Sequence, residues 1–229
     1  MRIVEYPSPN HGPRKGGAVP DMVVLHYTAM ESAEAALERL CNPVFEVSAH
    51  YLIAKSGEVF RLVGEERRAW HAGRARWGDV VDVNSRSMGI ELDNDGSEPF
   101  AEPLMESLLA LLTDVVMRHA ISPERVVGHS DIAPDRKGDP GAMFPWDRLV
   151  KAGLAISVEP GCAGSWGRDA EARFRAAMAR VGFDTTLPTE TLLRAIQLRH
   201  SPMRLGCSPG YVDLTLAEAL ARAYPCIDG

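Results

Sequence analysis

No stretch of this chain is apolar for long enough to span a bilayer, and residues Met1 to Pro20 are broken by Pro, Gly, Arg and Lys where a secretory leader would carry an apolar core. Membrane insertion is therefore not expected, and the sequence alone assigns the chain to the cytoplasm. Positive charge is also in short supply. With 25 Lys and Arg against 31 Asp and Glu, the formal net charge is -6, which argues against a broad basic surface for nucleic acid or anionic lipid. The four cysteines, Cys41, Cys162, Cys207 and Cys226, are scattered without a Cys-x-x-Cys pair, so reduced thiols are expected and a cysteine zinc site is not. Internal repeats and low-complexity tracts are missing too, which removes solenoid architectures. Any chemistry must come from histidines and carboxylates.

What is present is enough chain, at 229 residues, for one large domain or a large one with a small one. Its richest stretch runs from Val126 to Trp146. There Val126 and Val127 deliver His129 to a strand end, and Pro134, Gly138, Pro140 and Gly141 argue for an irregular loop without a helix. That loop carries His129, Asp131, Asp135, Lys137 and Asp139, more titratable groups than a connection needs.

Before it, Met22 to Leu25 reads as a buried strand ending at His26, and Ser32 caps a helix with Ala33, Ala36, Leu37 and Leu40 on one face. Val47 to Ala54 and Glu58 to Val63 read as a hairpin across Lys55-Ser56-Gly57, with His50 on its first strand. The Arg67 to Gly73 segment fits neither period and reads as a binding loop. Met88 to Leu92 is a further strand, in which Glu91 alternates away from Ile90 and Leu92. Leu104 to His119 carries Leu108, Leu111, Leu112, Val115 and Val116 at helical spacing.

Catalytic zinc takes three protein ligands and leaves a fourth position for water. His26, His129 and Asp139 all fall at strand ends or just beyond, where open α/β sheets collect ligands, and could supply those three. Scattered His and Asp are common, however, and spacing alone does not decide the matter.

Five blocks decide more. Val24-Leu-His26-Tyr-Thr28, Val47-Ser-Ala-His50-Tyr-Leu-Ile53, Ala69-Trp-His-Ala-Gly73, Gly89-Ile-Glu91-Leu92 and Gly128-His-Ser-Asp-Ile-Ala-Pro-Asp-Arg-Lys-Gly-Asp-Pro-Gly141 stand in this order. Together they resemble the type 2 zinc N-acetylmuramoyl-L-alanine amidases, over a span from Val23 to Leu154. The resemblance implies an α/β fold, a central mixed β-sheet flanked by helices. It implies one Zn2+ per chain held by His26, His129 and Asp139, with Glu91 as the catalytic carboxylate and Lys137 as the catalytic lysine. Taken alone, Glu91 could instead be a strand carboxylate paired to an arginine, and Lys137 a solvated loop charge. The bond cut would join the lactyl group of N-acetylmuramic or anhydromuramic acid to L-alanine in a muropeptide or peptidoglycan partner. Asp131 and Asp135 are expected to orient the histidines or cap turns of the loop, and His50 to stand behind the ligands as a buried residue. Tyr27, Trp70, His71 and Ala133 are groove candidates, with core packing the alternative for Trp70.

The turn formers from Val158 to Ser165 divide the chain into an expected catalytic domain (1–157), a linker (158–167) and a helical module (168–229). Three short amphipathic helices, Asp169 to Val181, Thr189 to Arg199 and Thr215 to Tyr224, make up the last, a small C-terminal three-helix domain. It weakly resembles a peptidoglycan-binding module, with Gly206-Cys-Ser-Pro-Gly210 in place of the usual Asp-Gly turn. Because every candidate residue precedes Pro160, the site is expected to survive loss of this tail. The rival functions are a non-catalytic peptidoglycan-recognition protein, which typically lacks a ligand, and an amidase that remodels the wall in the envelope.

Overall fold

The computed structural model describes residues 2–161 and 165–226; Cys162, Ala163 and Gly164 of the expected linker, Met1 and the last three residues lie outside them. In chain order the elements are β1 (Ile3–Glu5), β2 (His11–Pro13), β3 (Met22–Tyr27), α1 (Ala33–Cys41), β4 (Tyr51–Ile53), β5 (Val59–Arg61), β6 (Arg67–Ala69), α2 (Val83–Arg86), β7 (Ser87–Leu92), α3 (Glu102–His119), β8 (Val126–Gly128), α4 (His129–Ile132), α5 (Trp146–Lys151), α6 (Ala170–Val181), α7 (Thr189–His200) and α8 (Tyr211–Ala223). The main sheet has six strands in the order β1-β5-β4-β7-β3-β8. It is mixed: β4 and β5 form the expected antiparallel hairpin, and the remaining pairings are parallel. Parallel strands cannot be joined by a tight turn, and α3 carries the chain from β7 past β3 to β8.

Strand alternation gives the sheet two different faces. Val23 and Leu25 of β3, Met88, Ile90 and Leu92 of β7 and Val126 of β8 point to one side, where they share a core with Leu104, Leu108, Leu111, Leu112 and Val115 of α3. Met22 and Val24 of β3 and Val127 of β8 point to the other side. They belong to a continuous apolar cluster that includes Phe174, Met178, Leu192, Ile196 and Leu220 from the three C-terminal helices. On the same side, α1 covers Leu52 of β4 with Ala33, Ala36, Leu37 and Leu40. Ser32 caps α1 through its hydroxyl, which accepts from Ala35 N.

Three expectations are corrected. The Arg67 to Gly73 segment is not wholly irregular: Arg67–Ala69 pairs antiparallel with His11–Pro13, and the Pro- and Gly-rich lead also supplies β1, parallel to β5. Such three-residue strands are too short to show a period in sequence. The loop after β8 does contain one helical turn, α4, because its prolines and glycines begin only at Pro134, beyond the turn. The last helix begins at Tyr211, four residues before Thr215, where Gly210 N donates to Asp213 Oδ2 as an N-terminal cap.

Glu65, just past β5, fastens the hairpin to the end of α3. Its carboxylate accepts from the Tyr51 hydroxyl at 2.6 Å and from Arg118 and His119. Burial pushes the Glu65 pKa up, but hydrogen bonds from Arg118, Tyr51 and His119 outweigh burial and bring it down to about 2. A carboxylate with a depressed pKa stabilises the fold above its ordinary pKa of 4.5 and loses that contribution as pH falls through about 2. Glu65→Gln is therefore expected to lower the unfolding free energy at pH 7 by about 1–2 kcal/mol, the value being modest because Arg118 is partly solvated. Denaturant titrations should show the gap between variant and parent closing towards pH 2; a gap constant from pH 7 to pH 2 would remove the charge from the explanation.

Candidate metal centre and active site

The register of three parallel strands assembles the site. His26 of β3 stands opposite Glu91 of β7, and Leu25 stands opposite Gly128 of β8, so His129 follows beside His26. All three lie at the C-terminal ends of their strands, where open sheets leave a crevice. Gly128 permits the next step: a Cβ there would come within 2.7 Å of Pro140 Cδ, so only glycine lets the loop fold back and return Asp139 to the two histidines. Ser130 N, donating to Asp139 O at 2.9 Å, holds the returning strand of the loop against α4.

His26 Nδ1 and His129 Nδ1 lie 2.9 and 3.0 Å from Asp139 Oδ2, and the three groups are buried. The far nitrogens fix the tautomers. His129 Nε2 faces the Ala72 carbonyl at 3.1 Å, which only accepts, so that nitrogen carries the proton. For His26 the assignment runs through two further residues. Ser87 gives its one hydroxyl proton to Val83 O at 2.6 Å, so its Oγ accepts from His71 Nε2 at 3.2 Å. Burial drives the pKa of His71 well below its ordinary value, with the neighbouring histidines adding to the effect, so the ring is neutral and its Nδ1 accepts. His26 Nε2, 3.0 Å away, donates to it. Burial likewise lowers His26 to about 4, with the neighbouring His129 adding to the effect, so near neutral pH its Nδ1 presents a lone pair, and the Nε2–H tautomer of His129 turns that ring's Nδ1 to the same point.

Two imidazole lone pairs and a carboxylate oxygen thus converge, with one donor atom from each residue within 4.8 Å of the other two. Acceptors packed together without a proton between them repel each other, and a divalent cation removes that repulsion. The donor set, two nitrogens and one oxygen, fits a catalytic zinc site with a coordination position left for water. Glu91 Oε2 is buried nearby and meets no hydrogen-bond partner among the described residues. Burial, with the Asp139 charge adding, raises the Glu91 pKa well above the usual carboxylate range, and Lys137 opposes that shift.

These groups open into a cleft of about 440 Å³, lined by Tyr27, Trp70 and His71, by Arg39 and Leu40 of α1, and by Lys137. The sequence profile of the N-acetylmuramoyl-L-alanine amidase family matches residues 16–142. The chain belongs to that family. The amidase AmiD of Escherichia coli (strain K12) is 30% identical over 240 residues, which cover 89% of this chain and 83% of that protein. The 1,6-anhydro-N-acetylmuramyl-L-alanine amidase AmpD of Enterobacter cloacae is 32% identical over 160 residues, 62% of this chain and 86% of its own length. Among solved structures, the Escherichia coli AmiD complex with anhydro-N-acetylmuramic acid-L-Ala-D-gamma-Glu-L-Lys superposes with a TM-score of 0.80 at 30% identity, covering 91% of this chain and 92% of that one. AmpDh3 of Pseudomonas aeruginosa in complex with an anhydromuramic pentapeptide gives 0.75 at 29%, with 93% and 95% covered.

Within this amidase-family fold, two sequence expectations, those for Asp135 and Ala133, need correction. Of the two roles open to Asp131 it takes the capping one: it touches no histidine, accepts from Gly128 N at 2.7 Å at the start of α4 and pairs with Arg199. Asp135 is exposed and pairs with Arg74 at 2.8 Å, outside the site. Ala133 lines no part of the cleft; it is 3% exposed, in the core with Val127 and Ile132, because α4 turns its side chain inward. His71 lines the cleft, and both its ring nitrogens are engaged in holding His26. His50 stays apart from the cluster, accepting from Gly89 N at 2.9 Å and facing Arg67 O at 3.1 Å. Sequence reasoning missed Ser87 and Gly89. A Cβ on Gly89 would fall 2.5 Å from the His71 ring, so that glycine is what lets the ring lie on the strand; its place two residues before Glu91 was the available signal.

Ser87→Ala tests the donor chain. The His71 Nε2 proton would lose its buried acceptor, and the unfolding free energy is expected to fall by about 1–3 kcal/mol. Long-range proton–nitrogen spectra of the parent should report protonated Nε2 on His26, His71 and His129; a protonated Nδ1 on metal-free His71 at neutral pH would break the assignment.

Proposed function

We propose that this chain is a zinc-dependent hydrolase of the amide joining N-acetylmuramic acid, or its 1,6-anhydro form, to L-alanine in muropeptides. The observation that carries the reading is the convergence of His26 Nδ1, His129 Nδ1 and Asp139 Oδ2 beside an unpartnered Glu91 carboxylate in one cleft. The relatives add the substrate class, since AmiD and AmpDh3 have been crystallised with anhydromuramyl peptides.

His26, His129 and Asp139 would hold one Zn2+. Bound there, zinc supplies Lewis acidity, polarising an amide carbonyl and lowering the pKa of water to about 7. Glu91 is suited to the proton transfers. Its raised pKa makes it a stronger base than an ordinary carboxylate, able to take the proton of the attacking water and deliver it to the departing L-alanine amine. The Lys137 ammonium lines the same cleft and would steady the negative charge that develops on the carbonyl oxygen. Tyr27 and Trp70 offer aromatic surface for the sugar and the start of the peptide. A purely recognising protein has no evident use for a buried, unpartnered Glu91 Oε2 beside the ligand cluster, and the complete set of His26, His129, Asp139 and Glu91 favours catalysis over that alternative.

We place the reaction among soluble fragments in the cytoplasm, as in wall recycling. Among the described residues no helix is long and apolar enough to cross a membrane. Chromatography of products from soluble anhydromuropeptides and from intact sacculi, together with cell fractionation, tests this setting: release of peptides mainly from sacculi would assign the chain to envelope remodelling.

Elemental analysis is expected to find one zinc per chain, with chelation abolishing turnover and zinc restoring it. His129→Ala should lose the metal and His50→Ala keep it. Glu91→Gln and Lys137→Met should retain zinc yet lose roughly a hundredfold in kcat. Full turnover by metal-free protein would overturn the zinc reading, and near-normal kcat in either variant would remove that residue from the mechanism. Because Glu91 must be ionised to act as base, turnover should fall as pH drops through its raised pKa, so the acid limb is expected above the ordinary glutamate range.

A further inference from the structure

The strand that delivers His129 has weak support of its own. β8 is three residues long and stands at the sheet edge, with β3 as its only paired strand among the described residues. What flanks it on the other side is α7 of the C-terminal helices. Arg199 Nη2 donates to Val126 O at 3.0 Å, and Nη1 donates to Asp131 Oδ2. The same Asp131 oxygen accepts from Gly128 N at 2.7 Å, the cap that starts α4 and so sets where His129 begins. The guanidinium also lies 4.2 Å from the centre of the Trp146 ring, in the helix that closes the metal loop. One side chain therefore touches the strand before His129, the turn that contains it, and the helix after Asp139.

The pair is sealed from water, with side-chain exposures of 4% for Arg199 and 0% for Asp131. Arg199 Nε and Asp131 Oδ1 are buried without hydrogen-bond partners among the described residues, an arrangement poorly made for stability alone. A buried ion pair often gives no more stability than apolar packing of the same volume, and its best-attested use is to fix one arrangement among several. The planar fork of arginine reaches two acceptors that differ in position by several residues, which a lysine ammonium cannot reproduce.

We infer that Arg199 is a positioning residue for the metal loop, so that the C-terminal helices act as a structural part of the active site. This inference rests on the zinc reading above for its functional consequence, whereas its structural core stands without metal. Further contacts tie the two regions together: Trp77 packs edge-on against Phe183 at 5.1 Å, and Gly78 N donates to Gly182 O at 2.7 Å. Loss of the helices would remove Arg199, and with it the counter-charge of Asp131 and the donor to Val126 O.

The test uses the full chain and four variants: Arg199→Met, Arg199→Lys, the double variant Arg199→Met with Asp131→Asn, and Phe174→Leu as a control. Phe174 is fully buried in the apolar cluster that the module shares with the sheet, so its truncation lowers stability without removing a hydrogen bond or an ion pair from residues 126–132. Three quantities are read below each variant's melting temperature: zinc Kd by competition with a chromophoric chelator, kcat and KM on a soluble anhydromuropeptide, and amide hydrogen exchange of residues 126–132 in metal-free protein. Arg199→Met is expected to weaken zinc about tenfold, the lower end of what outer-shell changes produce, and to reduce kcat with KM within twofold. Exchange across 126–132 should accelerate at least tenfold. Arg199→Lys should recover only part of each effect. The double variant has no buried charge left unpaired and so guards against failure to fold; it should keep the zinc and exchange defects. Phe174→Leu should leave zinc Kd unchanged at a comparable loss of melting temperature.

Parental Kd, kcat and exchange in folded Arg199→Met, or in the double variant if the single one does not fold, would overturn the inference. So would an equal shift of Kd in Phe174→Leu, which would reduce the effect to general destabilisation. A parent that binds no zinc, with exchange still accelerated in Arg199→Met, would overturn the metal reading and leave the anchoring of the loop intact.

Discussion

The parallel pairing of β3 with β7 on one side and β8 on the other is the constraint on which the site depends. Parallel strands run their C-terminal ends to the same edge, and their register determines which side chains meet there. Pairing His26 with Glu91 and Leu25 with Gly128 brings an imidazole, a carboxylate and a second imidazole onto neighbouring positions. A slip of one residue in either pair would turn Glu91 into the apolar core beneath α3, or turn His129 away from His26. Because Val23, Leu25, Met88, Ile90 and Val126 all bury on that opposite face, the cost of such a slip is the whole core, and the register is correspondingly firm. Packing on one face thus sets the chemistry on the other.

Electrostatic demands then select what surrounds the strand ends. Neutral imidazoles that present lone pairs need their other nitrogens to donate, and each finds a buried acceptor, Ala72 O for His129 and the His71 ring for His26. The second acceptor is itself fixed by Ser87, whose hydroxyl has given its proton to Val83 O. Such a chain of donors makes the ligand set direction-specific before any ion arrives. The same dry surroundings that depress His26 and His71 raise Glu91, so one property of the pocket, its exclusion of water, prepares both the cation site and the base.

Much of this was legible in the sequence where the period was long or the residue chemically distinctive. The β3 and β7 runs, the α1 cap at Ser32 and the apolar stripe of α3 were readable because each repeats a pattern over several residues. His26, His129, Asp139 and Glu91 stood out because the five blocks around them resemble a known family. The three-residue strands β1, β2 and β6 carry no readable period, since their existence depends on pairing with segments more than fifty residues away. The ion-pair partner of Asp131 and the outward position of Asp135 were illegible for a related reason. Their partners, Arg199 and Arg74, are distant in sequence, and a carboxylate near a histidine in the chain need not face it in space. Arg199 did leave a trace: it follows Leu192 and Ile196 on the buried face of α7, and a charged residue on an apolar stripe needs a buried partner.

That trace bears on how the two regions of the chain relate. Met22, Val24 and Val127 lie on the sheet face that also carries His26, and the C-terminal helices share a core with them. The face is therefore divided along its strands, its N-terminal part covered by helices and its C-terminal part left open as the cleft. Without a cover, the apolar N-terminal part would meet water directly beside the metal loop, and the edge strand β8 would have open backbone on its outer side. Covering it with helices solves both problems and also brings a cation within reach of Asp131. An apolar residue at position 199 would fill the space but could satisfy neither Val126 O nor the Asp131 carboxylate, so an arginine there is better explained by the direction it imposes on the turn before His129 than by the stability it adds.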